Sequence, residues 1–260
     1  MSRFLNLENI SRILEGHPFW ITTMSIPSKP SLMTPEALNE TVTLYVGSEE
    51  KKYIVHKKIL CDQSEFFNAG LNNGFKEATD GEMYLPEDDP ATFADLIEYL
   101  YRGALPYTDK ITTRPMQELY CLAEKICMPL LMDKLIDAIM KAHAEKNYVG
   151  FDAARIQSIY ENTHSASKLR LYASAALAFS IHFDFKNTVD SGMYIPLSKP
   201  CPEIFTDVLT IYVHRLSLMN FGGPLNGVKD AFGPYGFHVP SSDGACYKTV
   251  ERSTKLDFNK

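Results

Sequence analysis

The apolar positions change period several times along the chain, and each change marks an element. Val42, Leu44 and Val46 alternate with Thr43 and Tyr45, the two-residue period of a half-buried strand. Gly47-Ser48-Glu49-Glu50-Lys51 predicts a turn, and Tyr53 to His56 a returning strand that closes a hairpin. Ile59, Leu60, Phe66, Phe67 and Leu71 then suit two short helices, with Ser64 as N-cap of the second and a break from Gly70 to Gly74. Glu82-Met83-Tyr84-Leu85 predicts a third strand. Asp88 or Asp89 can accept from the free N–H groups of a helix start, and Pro90 suits the first turn. Phe93, Leu96, Ile97 and Leu100 form one helical stripe, which Gly103 ends. Leu119, Leu122, Ala123 and Ile126 repeat that spacing up to Met128-Pro129. Leu131, Leu135, Ala138 and Ala142 carry a further helix.

On either side of this block the pattern is looser. Leu5, Ile10, Ile13 and Leu14 suit one short amphipathic helix. Ile26 to Pro35 holds three prolines in ten residues, a linker or an irregular covering strand. Toward the C-terminus, helices are expected over Ala153 to Tyr160 and Leu169 to Phe183. Another runs from Pro202 to Met219, with Phe205, Val208, Leu209, Tyr212 and Val213 on one side. Lys186 to Pro200 reads as a loop, and Phe221 to Lys260 as a Gly/Pro-rich, partly disordered tail. The expected organisation is an N-terminal extension (1–37), an α+β domain (38–147), a smaller all-α region (148–220) and the tail (221–260).

Composition narrows the classes. The chain has 260 residues, 26 Lys plus Arg against 32 Asp plus Glu, and 45% hydrophobic residues. That is ample for a core, and the net charge of −6 argues against a nucleic-acid-binding face. No stretch approaches the ~20 apolar residues of a membrane span. Arg3, Glu8, Arg12 and Glu15 interrupt any signal-peptide core. The five scattered cysteines suit reduced thiols, hence a cytoplasmic or nuclear setting.

No phosphate-binding glycine motif, nucleophile elbow or Cys-x-x-Cys occurs, so no cofactor and no metal are expected. Glu87-Asp88-Asp89 reads as capping and dipole compensation rather than a cation site. Tyr160-Glu161-Asn162-Thr163-His164 reads as a helix end rather than a catalytic set.

The block from about Glu40 to Lys146 resembles the BTB/POZ domain. Six pieces carry the likeness in order. They are Val42 to Val46 as first strand, Val55-His56-Lys57 with Leu60 and Ser64, and Phe67 as the family's aromatic. Gly74-Phe75-Lys76-Glu77, Leu85 to Pro90 with Phe93, and Leu96 to Gly103 complete the set. Arg155 to Thr163 with Leu169-Arg170 is similar to the region behind this domain in many fungal proteins. The resemblance implies an α+β BTB/POZ fold, a short β-sheet capped by helices, followed by a smaller all-α region. On this reading Phe67, Phe93 and Tyr101 supply most of the core's aromatic area, and His56 donates to a buried carbonyl.

What the resemblance implies for function is a protein–protein interaction module, not an enzyme, that self-associates as a homodimer. Some members also bring a substrate to a cullin-type ubiquitin ligase scaffold. Ile10, Ile13 and Leu14 stand where the family packs a helix across its two-fold axis, or else they cover their own core. Phe75 and Glu77 fit the hydrophobic-x-Glu pattern of cullin-binding members. The reading favoured over it is that Phe75 is a semi-buried anchor and Glu77 a solvated charge. The family's Asp before the first strand is replaced by Thr41, so its charged pocket is expected to be lost and Lys57 to face solvent. With no zinc fingers or basic region either, direct DNA binding is not expected. The rivals are a scaffold that only self-associates and a small enzyme with a site near Gly222 to His238.

Overall fold

The computed structural model describes residues 35, 39–107, 113–145, 150–183, 192, 194–213, 228, 232, 233 and 235–239. Strand β1 (Thr41–Val46) pairs antiparallel with β2 (Lys51–His56), setting Val42 opposite Val55 and Leu44 opposite Tyr53. Gly47 at φ +78° and Glu50 at φ +52° make the turn, closed by Glu50 N–H donating to Gly47 O at 3.0 Å. Strand β3 (Glu82–Leu85) joins the other edge of β1 in parallel, giving the order β2-β1-β3. The two-residue period holds throughout. Val42, Leu44, Val46, Val55, Met83 and Leu85 are buried, whereas Ile54 and Tyr84 on the opposite face are exposed. Tyr45 stacks on Tyr84 there, with ring centroids 4.6 Å apart.

A parallel return needs a crossover. Helices α1 (Lys57–Gln63), α2 (Glu65–Asn72) and α3 (Lys76–Asp80) supply it. Ser64 caps α2 as the sequence predicts, accepting from Phe67 N–H at 3.2 Å. Its hydroxyl also donates to Ile126 O at 2.6 Å. The expected break at Gly70 is corrected: α2 runs through it to Asn72. A Cβ at Gly70 would lie 2.7 Å from Met83 Cε, so this glycine admits a close neighbour rather than ending the helix.

Asp89, not Asp88, caps α4 (Pro90–Arg102): Thr92 N–H and Oγ1–H both donate to Asp89 Oδ2, at 2.8 and 2.9 Å. Asp88 instead receives Lys125 Nζ at 2.8 Å. The start of α4 is seated on the hairpin, where Tyr53 Oη–H donates to Pro90 O at 2.7 Å and a Cβ on Gly47 would lie 2.9 Å from Pro90 Cγ. Phe93, Leu96, Tyr99 and Leu100 face the core, and Gly103 at φ +69° ends the helix.

Then come α5 (Thr113–Lys125), α6 (Pro129–Glu145), α7 (Ala153–Asn162), α8 (Lys168–Phe183), a 3-10 turn at Ile195–Ser198 and α9 (Glu203–Ile211). A Schellman turn ends α5: Met128 N–H donates to Ala123 O and Cys127 N–H to Glu124 O, with Cys127 in the left-handed region at φ +57°.

The chain forms two compact units. The first comprises Met1–Lys110, Leu122–Met132 and Val239–Lys260, the second Ile111–Cys121 and Asp133–His238. The first is built on the buried sheet face with Leu60, Phe67, Phe93, Leu96 and Ile126. The second buries Leu135, Ile139, Phe151, Ile159, Tyr172, Phe179 and Ile204.

Helix α9 corrects another expectation. Ile204, Val208 and Ile211 are the buried positions, and Phe205, Leu209, Tyr212 and Val213 are exposed. Apolar residues stand on two sides of the helix, so Val208 parts from the side on which spacing had grouped it. Within the stretch read as a tail, Phe237 and His238 are buried. The predicted helix at Leu5, Ile10, Ile13 and Leu14 lies outside the described residues, as do positions 214–219. No helix among the described residues is long and apolar enough to cross a membrane.

Candidate functional site

Gly74, at φ +72°, turns the chain out of α2 and sets Phe75 as the first residue before α3. Phe75 is extended (φ −71°, ψ 165°) and half-buried, and its carbonyl accepts from Ala78 N–H at 3.1 Å. Glu77 follows in the first turn, where the free N–H groups favour a carboxylate. Its Oε2 is buried and accepts no hydrogen bond from the described residues. The half-buried anchor expected of Phe75 is therefore present, whereas Glu77 is not a fully solvated charge. Phe75 immediately precedes α3 and Glu77 lies in its first turn, just ahead of β3 in the chain. Ile10, Ile13 and Leu14 fall outside the described residues.

A second polar cluster lies where β2 passes into α1. The loss of its charged pair is corrected. Lys57 Nζ meets Glu40 Oε1 at 2.7 Å, and Lys57 N–H donates to Glu40 O at 3.0 Å. The Lys57 side chain is only 18% exposed. Thr41 stands where the family's carboxylate would, and the residue before it supplies one instead. His56 differs too: its Nδ1 bonds the Tyr101 hydroxyl at 2.7 Å, not a carbonyl, and its N–H donates to the same oxygen. Tyr101 is 47% exposed, so its ring covers the edge of this cluster rather than filling the core. Tyr99, two positions earlier, is the buried tyrosine.

In the helical unit the polar groups of catalytic type hydrogen-bond to neighbouring elements. Tyr160 Oη–H donates to Asp207 Oδ2 at 2.6 Å, and burial together with that bond pushes its ionisation far above the ordinary tyrosine range. Arg170 covers the end of α7. It lies over the Tyr160 ring and donates to Tyr160 O, Thr163 O and Thr163 Oγ1. Arg155 ties α7 to the start of α5, donating to Gln117 Oε1 at 2.8 Å and Thr113 Oγ1 at 2.9 Å above the Phe151 ring. Burial raises the Cys61 thiol, and raises that of Cys127 to about 11, opposite to an activated nucleophile. Among the described residues no group of three or more His, Cys, Asp or Glu side chains could hold a metal ion.

A small mixed sheet with a helical crossover between β2 and β3, followed by further helices, defines an α+β module. Residues 35–143 match the family model of the BTB/POZ domain, and the chain thus carries a BTB/POZ domain, a protein-interaction module. It is similar to BTB and MATH domain-containing protein 15 of Caenorhabditis elegans, at 43% identity over 60 residues. That stretch is 23% of this chain and 21% of the relative, so the likeness spans about a fifth of that protein.

Proposed function

We propose that this protein is a substrate adaptor for a cullin-type ubiquitin ligase, with the BTB/POZ domain as its scaffold-binding part. The observation that supports the reading is Phe75 just before α3 with Glu77 in its first turn. An apolar ring is half-covered and a carboxylate oxygen stands without a hydrogen bond, both in the loop-helix just before β3. A partner donor that reached Glu77 Oε2 would satisfy it, and the ring would gain the burial it lacks. A pull-down with the cullin scaffold tests this directly. The intact chain should bind, and Phe75→Ala and Glu77→Lys should each weaken binding by at least about tenfold, the equivalent of about 1.4 kcal/mol. No binding by the intact chain removes the adaptor role.

Self-association through the N-terminal extension is the second reading, supported by the stripe of Ile10, Ile13 and Leu14. Burying each such side chain contributes about 1.5–3 kcal/mol. Deleting Met1 to Glu15 should therefore lower the mass seen by light scattering. An unchanged mass leaves a module that does not self-associate through this stripe. The likeness of Arg155 to Arg170 to fungal BTB proteins and the cytoplasmic or nuclear setting are part of the same proposal.

A further inference from the structure

The sheet face turned away from the core carries large apolar side chains where an outward face is ordinarily polar. Tyr45 of β1 stands between Lys52 of β2 and Tyr84 of β3, and Thr43 stands between Ile54 and Glu82. The Tyr45 and Tyr84 rings stack with their planes 16° apart, which makes one flat platform. Tyr84 is 53% exposed and Ile54 62%. Glu82, beside the platform, accepts from Tyr45 Oη–H at 3.3 Å and meets no cation among the described residues.

The chain also carries a segment that fits such a platform. Ile26 to Thr34 repeats with a period of three: Pro27, Pro30 and Met33 form one series, Ile26, Lys29 and Leu32 a second, and Ser28, Ser31 and Thr34 a third. Three residues per turn is the period of the polyproline II helix, which has no internal hydrogen bonds. In that conformation the hydroxyl series would face water and the other two would lie against a surface. Pro-rich segments of this form dock on aromatic surfaces, and because they are extended beforehand they lose little entropy. Lys29 supplies the cation that Glu82 lacks. Length agrees as well. At ~3.1 Å per residue, Ile26 to Met33 spans about 22 Å, close to the roughly 20 Å of a six-residue strand. The chain between Met33 and Thr41 extends to about 28 Å at most, so the segment can reach every part of the face formed by the strand it feeds.

We propose that the outward face of β1, β2 and β3 is a docking surface for a Pro-x-x-Pro segment with a basic residue between its prolines. Its occupant is residues 26–33 of the same chain, which lie outside the described residues, with the prolines on the Tyr45–Tyr84 platform and Lys29 at Glu82. The proposal stands independently of the adaptor role.

The test keeps the full chain and places a photo-activated cross-linker, p-benzoylphenylalanine, at exposed position 54 in place of isoleucine. The chain is irradiated in dilute solution and digested, and mass spectrometry locates what is captured. Cross-links within one chain to residues 26–33 are expected. Their yield should fall at least about threefold with Glu82→Lys, and should return when Lys29→Glu is added to Glu82→Lys. The double change Pro27→Gly and Pro30→Gly should lower it by a similar factor. That variant leaves every residue of the sheet unchanged, so its loss of capture cannot come from a misfolded sheet. Three results would overturn the proposal. One is capture spread along the chain or concentrated outside 26–33. Another is a yield indifferent to the charge reversal and to the loss of the prolines. The last is cross-linking between isotope-labelled and unlabelled copies in place of the product within one chain, which makes a second copy's segment the occupant.

Discussion

Ser64→Ala should destabilise the protein by about 2–4 kcal/mol, and the sum can be worked from two bonds. The side chain is buried, accepts from Phe67 N–H at 3.2 Å and donates to Ile126 O at 2.6 Å. Losing the cap on α2 costs about 1 kcal/mol. Ile126 follows α5 as its C-cap within the Schellman turn, and its carbonyl is one of the helix-end groups that lack a partner within the helix. Leaving it buried without a donor costs about 1–3 kcal/mol. Against a total stability of about 5–15 kcal/mol, the change is large. Ser64→Gly separates the two contributions, since glycine at a cap position costs only a few tenths of a kcal/mol while still orphaning Ile126 O. Urea unfolding followed by circular dichroism should rank the midpoints parent, Ser64→Gly, Ser64→Ala. Amide exchange at Phe67 should also quicken in the alanine variant. An alanine variant within about 0.5 kcal/mol of the parent would refute the reasoning, because water would then be replacing the hydroxyl at both partners.

Arg155→Lys should cost about 1–3 kcal/mol in the same assay, since an ammonium cannot serve Gln117 and Thr113 together while lying flat on Phe151. Loss of no stability would show the Arg155 fork to be ornamental. Cys127 offers a pH test. Its folded thiol is raised to about 11 from an ordinary value of 9.0, so the neutral form is the one the fold favours. Its contribution is whole below pH 9 and is lost between pH 9 and 11, by about 2–3 kcal/mol. At pH 8 the thiol should resist a disulfide reagent until the chain unfolds. Rapid labelling of native Cys127 at that pH would contradict the burial.

Short-range chemistry was legible in the sequence. Ser64, Asp89, Pro90 and Gly103 act within three or four residues of themselves, and the alternation of Val42, Leu44 and Val46 survives pairing because a strand has only two faces. What the sequence hid depends on distance or on choice. The Glu40–Lys57 pair spans seventeen residues, and a carboxylate one position earlier than the family's pattern looked like an absence. Tyr99 and Tyr101 both fit the rim of the α4 stripe, and only the docked helix decides which is buried. Helix α9 offers two apolar stripes, and the core takes Ile204, Val208 and Ile211. Phe237 and His238 sit in a stretch so rich in Gly and Pro that its composition masked two anchoring side chains. Of the candidate site, residue types and order could be read in advance, whereas the buried oxygen of Glu77 could not.

The outward stripe of α9 also bears on how the protein behaves at the bench. Phe205, Leu209, Tyr212 and Val213 share that surface with Thr206 and Thr210, and among the described residues of α9 the exposed charge is Glu203 in its first turn, which leaves the apolar stretch thinly protected as molecules are concentrated. Leu209, 64% exposed, is the position at which a glutamate would improve solubility without disturbing the interior. Samples prepared for crystals or spectroscopy would keep longer with that one change.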